Sequence, residues 1–215
     1  MKTLGKSELA AYLARQLDQF FPDEPVTPDA LAPAVGDAVE RMAYCLARLR
    51  GKYFTEGRFD HLHTDQYAMF LYFVGNSLFR RKDDLALAAK VYALNKVLHS
   101  IDAFYEVELP DIFLFSHPLG TILGRARYAN YFLVYQHCTI GSNLDGIYPT
   151  FGEGVAMFGG SAVIGACTIG ANCWLSYGSV VMDENVSANS VVFGRSPALV
   201  IKPARREVAS DRFQP

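Results

Sequence analysis

Histidine is the side chain whose unperturbed pKa lies near neutrality, which suits it to take a proton from a hydroxyl. His117 sits in the segment Ser116-His117-Pro118-Leu119-Gly120. A lone histidine reads equally as a packed or surface group, so the residue alone does not decide between base and bystander. His61-Leu62-His63-Thr64-Asp65 is a dense polar cluster of metal-ligand types. It has no third or fourth partner at a recognisable spacing, so no metal is expected there, and capping of a following helix is its plain reading. The four cysteines are too few for a disulfide scaffold and none forms a Cys-x-x-Cys pair.

Two different architectures must position these groups. Residues 1–109 hold 28 charged side chains and 5 glycines, whereas residues 110–215 hold 14 and 12. The first half has helical periodicity. Ser7 is expected to cap a helix carrying Leu9, Leu13, Leu17 and Phe20, which Pro22 and Pro25 end. A second helix is expected over Val35 to Arg50, a third and very apolar one from Thr64 to about Phe79, and a fourth from Asp83 to near Ser100. Arg80-Arg81-Lys82 complements the dipole of the third.

The second half repeats every six residues. From Phe151 the blocks are FGEGVA, MFGGSA, VIGACT, IGANCW, LSYGSV and VMDENV. Position one is apolar throughout, and position five (Val155, Ser161, Cys167, Cys173, Ser179, Asn185) is nearly always small. The register is expected to continue upstream through Ile122, Tyr128, Val134 and Ile140. A period of six fits neither a helix nor an alternating strand and is the signature of a parallel β-helix, with positions one and five pointing inward. Cys138, Cys167 and Cys173 then become small interior plugs. The spacing from Ile140 to Phe151 leaves five extra residues, so Gly146-Ile147-Tyr148-Pro149-Thr150 is expected to project from a corner as a loop. The fold class expected is α+β: a helical domain over 1–106, a β-helix over 107–203 and a tail over 204–215.

Formal charge −2 and a pI near 6.2 argue against nucleic-acid binding. The longest strongly apolar stretch, Tyr67 to Val74, is far shorter than the roughly 18 residues of a membrane span. With no secretory signal visible, a cytoplasmic protein with reduced thiols is expected.

A helical first half, a hexapeptide β-helix and the Ser116–Gly120 segment at its start together resemble the serine acetyltransferase group of hexapeptide acyltransferases. The resemblance covers roughly residues 64–203. That family places a histidine in Asp-His-x-x-Gly, matched here by His117 through Gly120 and followed by Ile122-Leu123-Gly124. Glu153-Gly154-Val155, Gly159-Gly160-Ser161-Ala162, Gly194-Arg195-Ser196-Pro197-Ala198 and Lys202-Pro203 match its later motifs, the third with one extra residue. The resemblance implies a left-handed coil, a homotrimer or dimer of trimers with sites between subunits, and acetyl transfer from acetyl-CoA to a hydroxyl with His117 as base. It implies acetyl-CoA contacts at Gly159, Gly160, Ser161, Tyr177 and Gly178, with Arg195 and Lys202 on the nucleotide phosphates.

The departures shape the expected acceptor. The family's Asp before the histidine is Ser116, which can orient an imidazole but brings no charge. Its Arg-His pair after the glycine-rich insert is Ile147-Tyr148. His137 either replaces the missing histidine or lies on the surface, and an acceptor-binding role falls to Tyr148, His137, Asp65 and His63. The missing cation favours a sugar or polysaccharide precursor as acceptor. Serine O-acetylation is the alternative, and a non-catalytic β-helix binding or assembly protein is the second alternative.

Overall fold

The computed structural model describes residues 4–51, 54, 58–82 and 84–214. Four helices come first: α1 (Lys6–Phe20), α2 (Pro28–Leu46), α3 (Thr64–Arg81) and α4 (Leu85–His99). α1 starts at Gly5 rather than Ser7, because the Glu8 carboxylate turns back to accept the Gly5 N–H at 2.8 Å. α2 begins well before Val35. Thr27 accepts the Ala30 N–H, and Pro28 fills the first helical position, where a missing N–H is harmless. This earlier start brings Leu31 and Ala34 into the apolar stripe, and the helix closes at Leu46 rather than Arg50. Asp84 caps α4 by accepting the Leu87 N–H, while Asp83, expected in that role, lies outside the described residues.

α3 has no polar face because it has no free face. Every residue from Asp65 to Leu78 is buried, with α2 on one side, α4 on another and the first coil of the second half beneath. Its basic last turn, Arg80 and Arg81, pairs with Glu108 and Asp37.

The second half winds as a parallel β-helix. One side stacks β1 (Asp102–Ala103), β3 (Ile122–Leu123), β5 (Thr139–Gly141), β8 (Ala162–Ile164) and β11 (Val180–Met182). A second stacks β2 (Phe113–Phe115), β4 (Phe132–Val134), β7 (Val155–Met157), β10 (Cys173–Leu175) and β12 (Ser190–Arg195). The third side carries β6 (Thr150–Phe151) and β9 (Thr168–Ile169). β13 (Ala198–Pro203) leaves the coil by pairing antiparallel with β12, and α5 (Val208–Arg212) follows it. The last residues tie the coil back to the bundle: Phe213 bridges Leu49, and Arg50 N–H reaches the Arg212 carbonyl.

The hexad register holds through the central coils. Phe151, Met157, Val163, Ile169, Leu175 and Val181 are all buried, as are Val155, Ser161, Cys167, Cys173 and Ser179. It slips by one residue at each end. Leu123, aligned with Ile140, points inward in the first coil, and Ile122 is exposed. After Val181 the inward residue is Val186, bridged to Ile169, whereas Asn185 is exposed and its side chain accepts the Thr168 N–H. Each slip drops one residue at a corner, a change that a strict period of six cannot register. The projecting loop runs over 142–149, with Leu144 at its exposed tip; Thr150, expected in it, is already in β6.

The thiols of Cys138, Cys167 and Cys173 are raised above the ordinary range by burial, and that of Cys45 is pushed up to about 12 for the same reason. All four are therefore expected to react slowly with a thiol reagent in the folded chain and fast in denaturant. Cys173→Leu adds volume to a fully packed coil, at a cost of about 1–3 kcal/mol read from denaturant titration. Rapid labelling of all three β-helix cysteines in the native state would disprove their interior placement.

Candidate active site

The turn that carries His117 is gripped by the helical half. His117 adopts φ 51° and keeps its side chain 77% exposed. Its backbone N–H donates to Asp65 Oδ2 at 3.1 Å, and its Nδ1 lies 3.9 Å from the same oxygen. Three residues on, the Gly120 N–H donates to the carbonyl of Ser100, the C-cap of α4. The start of α3 and the end of α4 thus pin both ends of one turn. Asp65 is 8% exposed, whereas the imidazole it faces is open to solvent. Ser116, expected to orient His117, uses its N–H on the Val134 carbonyl, and its hydroxyl makes no hydrogen bond to the imidazole.

His137 lies on the next coil directly against this turn. A Cβ on Gly120 would sit 2.5 Å from His137 Nδ1, so only glycine there admits the ring. The structure therefore brings Asp65 to His117 and stacks His137 on the Gly120 end of the same turn. His63 caps α3 two residues ahead of Asp65, with its ring 5.9 Å from that of Phe54. Tyr148 is placed on a different corner: its ring packs on Gly124, across strand β3 from His117. Within one chain it does not meet the histidine.

A column of corner turns leads away from His117. Gly120, His137, Gly160, Gly178 and Gly194 all adopt positive φ, one on each successive coil. Backbone bonds link the turns: His137 N–H to Leu119, Gly160 N–H to Gln136, and Gly178 N–H to Gly159. A Cβ on Gly159 would come within 2.8 Å of Gln136 Nε2 and 3.1 Å of the Tyr177 ring. The missing side chain lets both lie along the edge, and Tyr177 is 79% exposed. Ser161, expected on this edge, is inside: its Oγ contacts Cys138 Sγ at 3.6 Å. Its hexad position five places it there.

At the far end the column borders a cavity of about 690 Å³. Phe158, Trp174 and Phe193 supply aromatic walls, and Lys202, Arg205 and Arg206 supply cations. Arg212 adds another, with Asp211 as the one acidic group, paired to Arg206. Lys202 lies over the Phe193 ring at 5.5 Å. Arg195, at the end of β12, is exposed beside the same hairpin. Sequence reasoning missed Gln136, the aromatic trio and the tail arginines; the only signal was the basic, aromatic run near the C-terminus.

No protein-family model and no curated protein matches this sequence. Solved structures do. The serine acetyltransferase of Vibrio cholerae O1 biovar El Tor N16961 superposes with a TM-score of 0.73 at 20% identity, covering 95% of this chain and 81% of that one. That of Neisseria gonorrhoeae gives 0.71 at 21%, covering 96% and 81%. The Brucella abortus strain S19 enzyme in complex with coenzyme A gives 0.71 at 15%, covering 96% and 85%. The likeness runs through the helical half as well as the coils, and the chain has the fold of these serine acetyltransferases.

Proposed function

We propose that the protein is an acetyl-CoA-dependent O-acetyltransferase with His117 as general base. One observation carries the reading: His117 and Asp65 head a smooth corner column that ends in an aromatic, cationic cavity. From the turn at 117–120 to Gly194 in β12 there are four coil steps. At about 4.8 Å per step the column is about 19 Å long. A thioester at one end and nucleotide phosphates at the other require such a long, narrow groove with charge only at its far end. In this arrangement the pantetheine arm follows Gly159, Gly160, Tyr177 and Gly178. The adenine meets Phe158 or Trp174, and Lys202 with Arg195 and the tail arginines holds the phosphates.

The chemistry needs no further group. The acceptor hydroxyl loses its proton to His117 as its oxygen attacks the thioester carbonyl. The tetrahedral intermediate collapses, the C–S bond breaks, and the thiolate takes the proton back from the imidazolium. Asp65 steadies the imidazolium meanwhile.

For the acceptor, L-serine fits better than the carbohydrate favoured by the motif departures. Asp65 restores beside His117 the negative charge that Ser116 lacks, and the solved relatives in fold are serine acetyltransferases. Ile147-Tyr148 remains the one feature that suits a neutral acceptor.

A homotrimer accounts for two further features. The outward face of β3, β5, β8 and β11 is apolar and uncovered, with Ile122 46% and Met182 50% exposed. A second copy on that face brings its own loop, with Ile147 and Tyr148, toward this chain's His117. Light scattering at micromolar concentration should report three copies; a monomer would refute the assembly.

The direct test is a thermal titration. CoA at 100 times its Kd contributes about 2.7 kcal/mol, a Tm rise of about 5–10 °C for a chain of this size. Lys202→Glu should abolish most of it. No shift with CoA sinks the reading. Thiol release on adding L-serine, with kcat/KM near or above about 10⁴ M⁻¹s⁻¹, identifies serine as the substrate.

A further inference from the structure

His99 is the last residue of α4, only 6% exposed, one residue from the carbonyl that holds the His117 turn. Its Nδ1 lies 2.8 Å from Asn95 Oδ1. Asn95 uses its own Nδ2–H₂ on the Ala68 carbonyl at 2.9 Å, so Oδ1 is the atom that faces His99 and must accept. The hydrogen of the neutral ring is therefore on Nδ1, and Nε2 keeps a bare lone pair. Burial lowers the pKa of this histidine to about 4, against the smaller raising effect of Asp65, so at neutral pH the second proton does not bind. The Tyr67 ring closes one flank edge-on at 5.9 Å.

Two proton acceptors thus lie under the His117 turn without donors. Asp65 commits Oδ2 to the His117 N–H, while its Oδ1 and His99 Nε2 accept no hydrogen bond among the described residues. Neither atom is sealed from solvent, so each is left open to a donor that enters beside the turn.

We propose that His99 is a specificity-determining residue of the acceptor pocket. Its Nε2 and Asp65 Oδ1 form a wall of acceptors for the hydrogen-donating group beside the hydroxyl to be acylated. The proposal rests on the acyltransfer reading above. A carboxylate oxygen and a neutral lone pair together carry one negative charge and no hydrogen. The matching group is an ammonium on the carbon next to the hydroxyl carbon, which supplies several hydrogens and one positive charge. A diol offers single hydrogens and no charge.

The test combines imidazole ¹⁵N NMR with variant kinetics. In the wild type at pH 7, Nε2 of His99 should resonate as an unprotonated nitrogen. It should move toward the hydrogen-bonded range on titration with L-serine or ethanolamine, and stay put with ethylene glycol. His99→Phe keeps ring volume but removes the acceptor. It should raise the KM of the amino-alcohol acceptor by about 10–100-fold while the KM for acetyl-CoA and the Tm change little. His99→Gln, which returns a carbonyl acceptor, should recover most of that loss. A protonated Nε2, equal responses to ethanolamine and ethylene glycol, or a His99→Phe variant with an unchanged acceptor KM overturns the proposal. A ring that responds to ethanolamine in a protein that neither binds CoA nor releases thiol would instead sink the acyltransfer reading.

Discussion

Replacing His117 by alanine lowers the rate of acetyl transfer by about 10²–10⁴-fold while CoA binding survives. The size follows from losing the general base that takes the acceptor proton. Survival of CoA binding follows from distance: the aromatic walls of the far cavity lie two to four coil turns away, and its cations lie at or beyond the last of these. The fold should persist, because the imidazole is largely exposed and contributes little to the core. Position 117 has φ 51°, where histidine is found several-fold more readily than alanine, so His117→Ala carries a modest backbone penalty as well. His117→Asn, a residue at ease with positive φ, controls for the turn itself and should be equally inactive. Stopped-flow thiol release at saturating acetyl-CoA reads the effect, and near-full activity in either variant would reassign His117 to structure.

How much of this was legible beforehand depends on the range of each signal. The hexads were visible because a coil is built from neighbours in sequence, and each inward residue reports its position locally. The slips at Ile122–Leu123 and Asn185–Val186 were not, since one residue lost at a corner leaves no compositional mark. Ser161 shows a different fault. Its own hexad position placed it inside, yet the glycine run next to it drew it to the groove. The Asp65–His117 contact joins residues 52 apart and depends on α3 packing over the first coil, so the sequence marked Asp65 as an acceptor-binding candidate but not as the partner of His117. His99 carries no sequence signal beyond its place near the end of the fourth expected helix. Its neutral state and bare nitrogen come from Asn95, Ala68 and Tyr67, which meet it only in the folded bundle.

The Asp65 contact gives the second large effect. Asp65→Asn keeps an oxygen to accept the His117 N–H and nearly the same volume, but removes the charge. A charge-assisted hydrogen bond contributes about 1.5–3 kcal/mol, which corresponds to about 10–150-fold in acceptor kcat/KM. Asp65→Ala removes the anchor too. The His117 N–H then loses its partner and the turn is held only through Gly120 and Ser100, so the loss should exceed that of the amide. Neither change touches the corner column, so the CoA-induced Tm shift should be that of the wild type in both. The ordering separates two roles for one carboxylate. If both variants lose activity equally, the charge matters and the anchoring bond does not. If Asp65→Asn is as active as wild type while Asp65→Ala is not, Asp65 only positions the turn, and stabilisation of the imidazolium must come from elsewhere. Full activity in both would remove Asp65 from the site and with it the argument that the helical half completes the acceptor pocket.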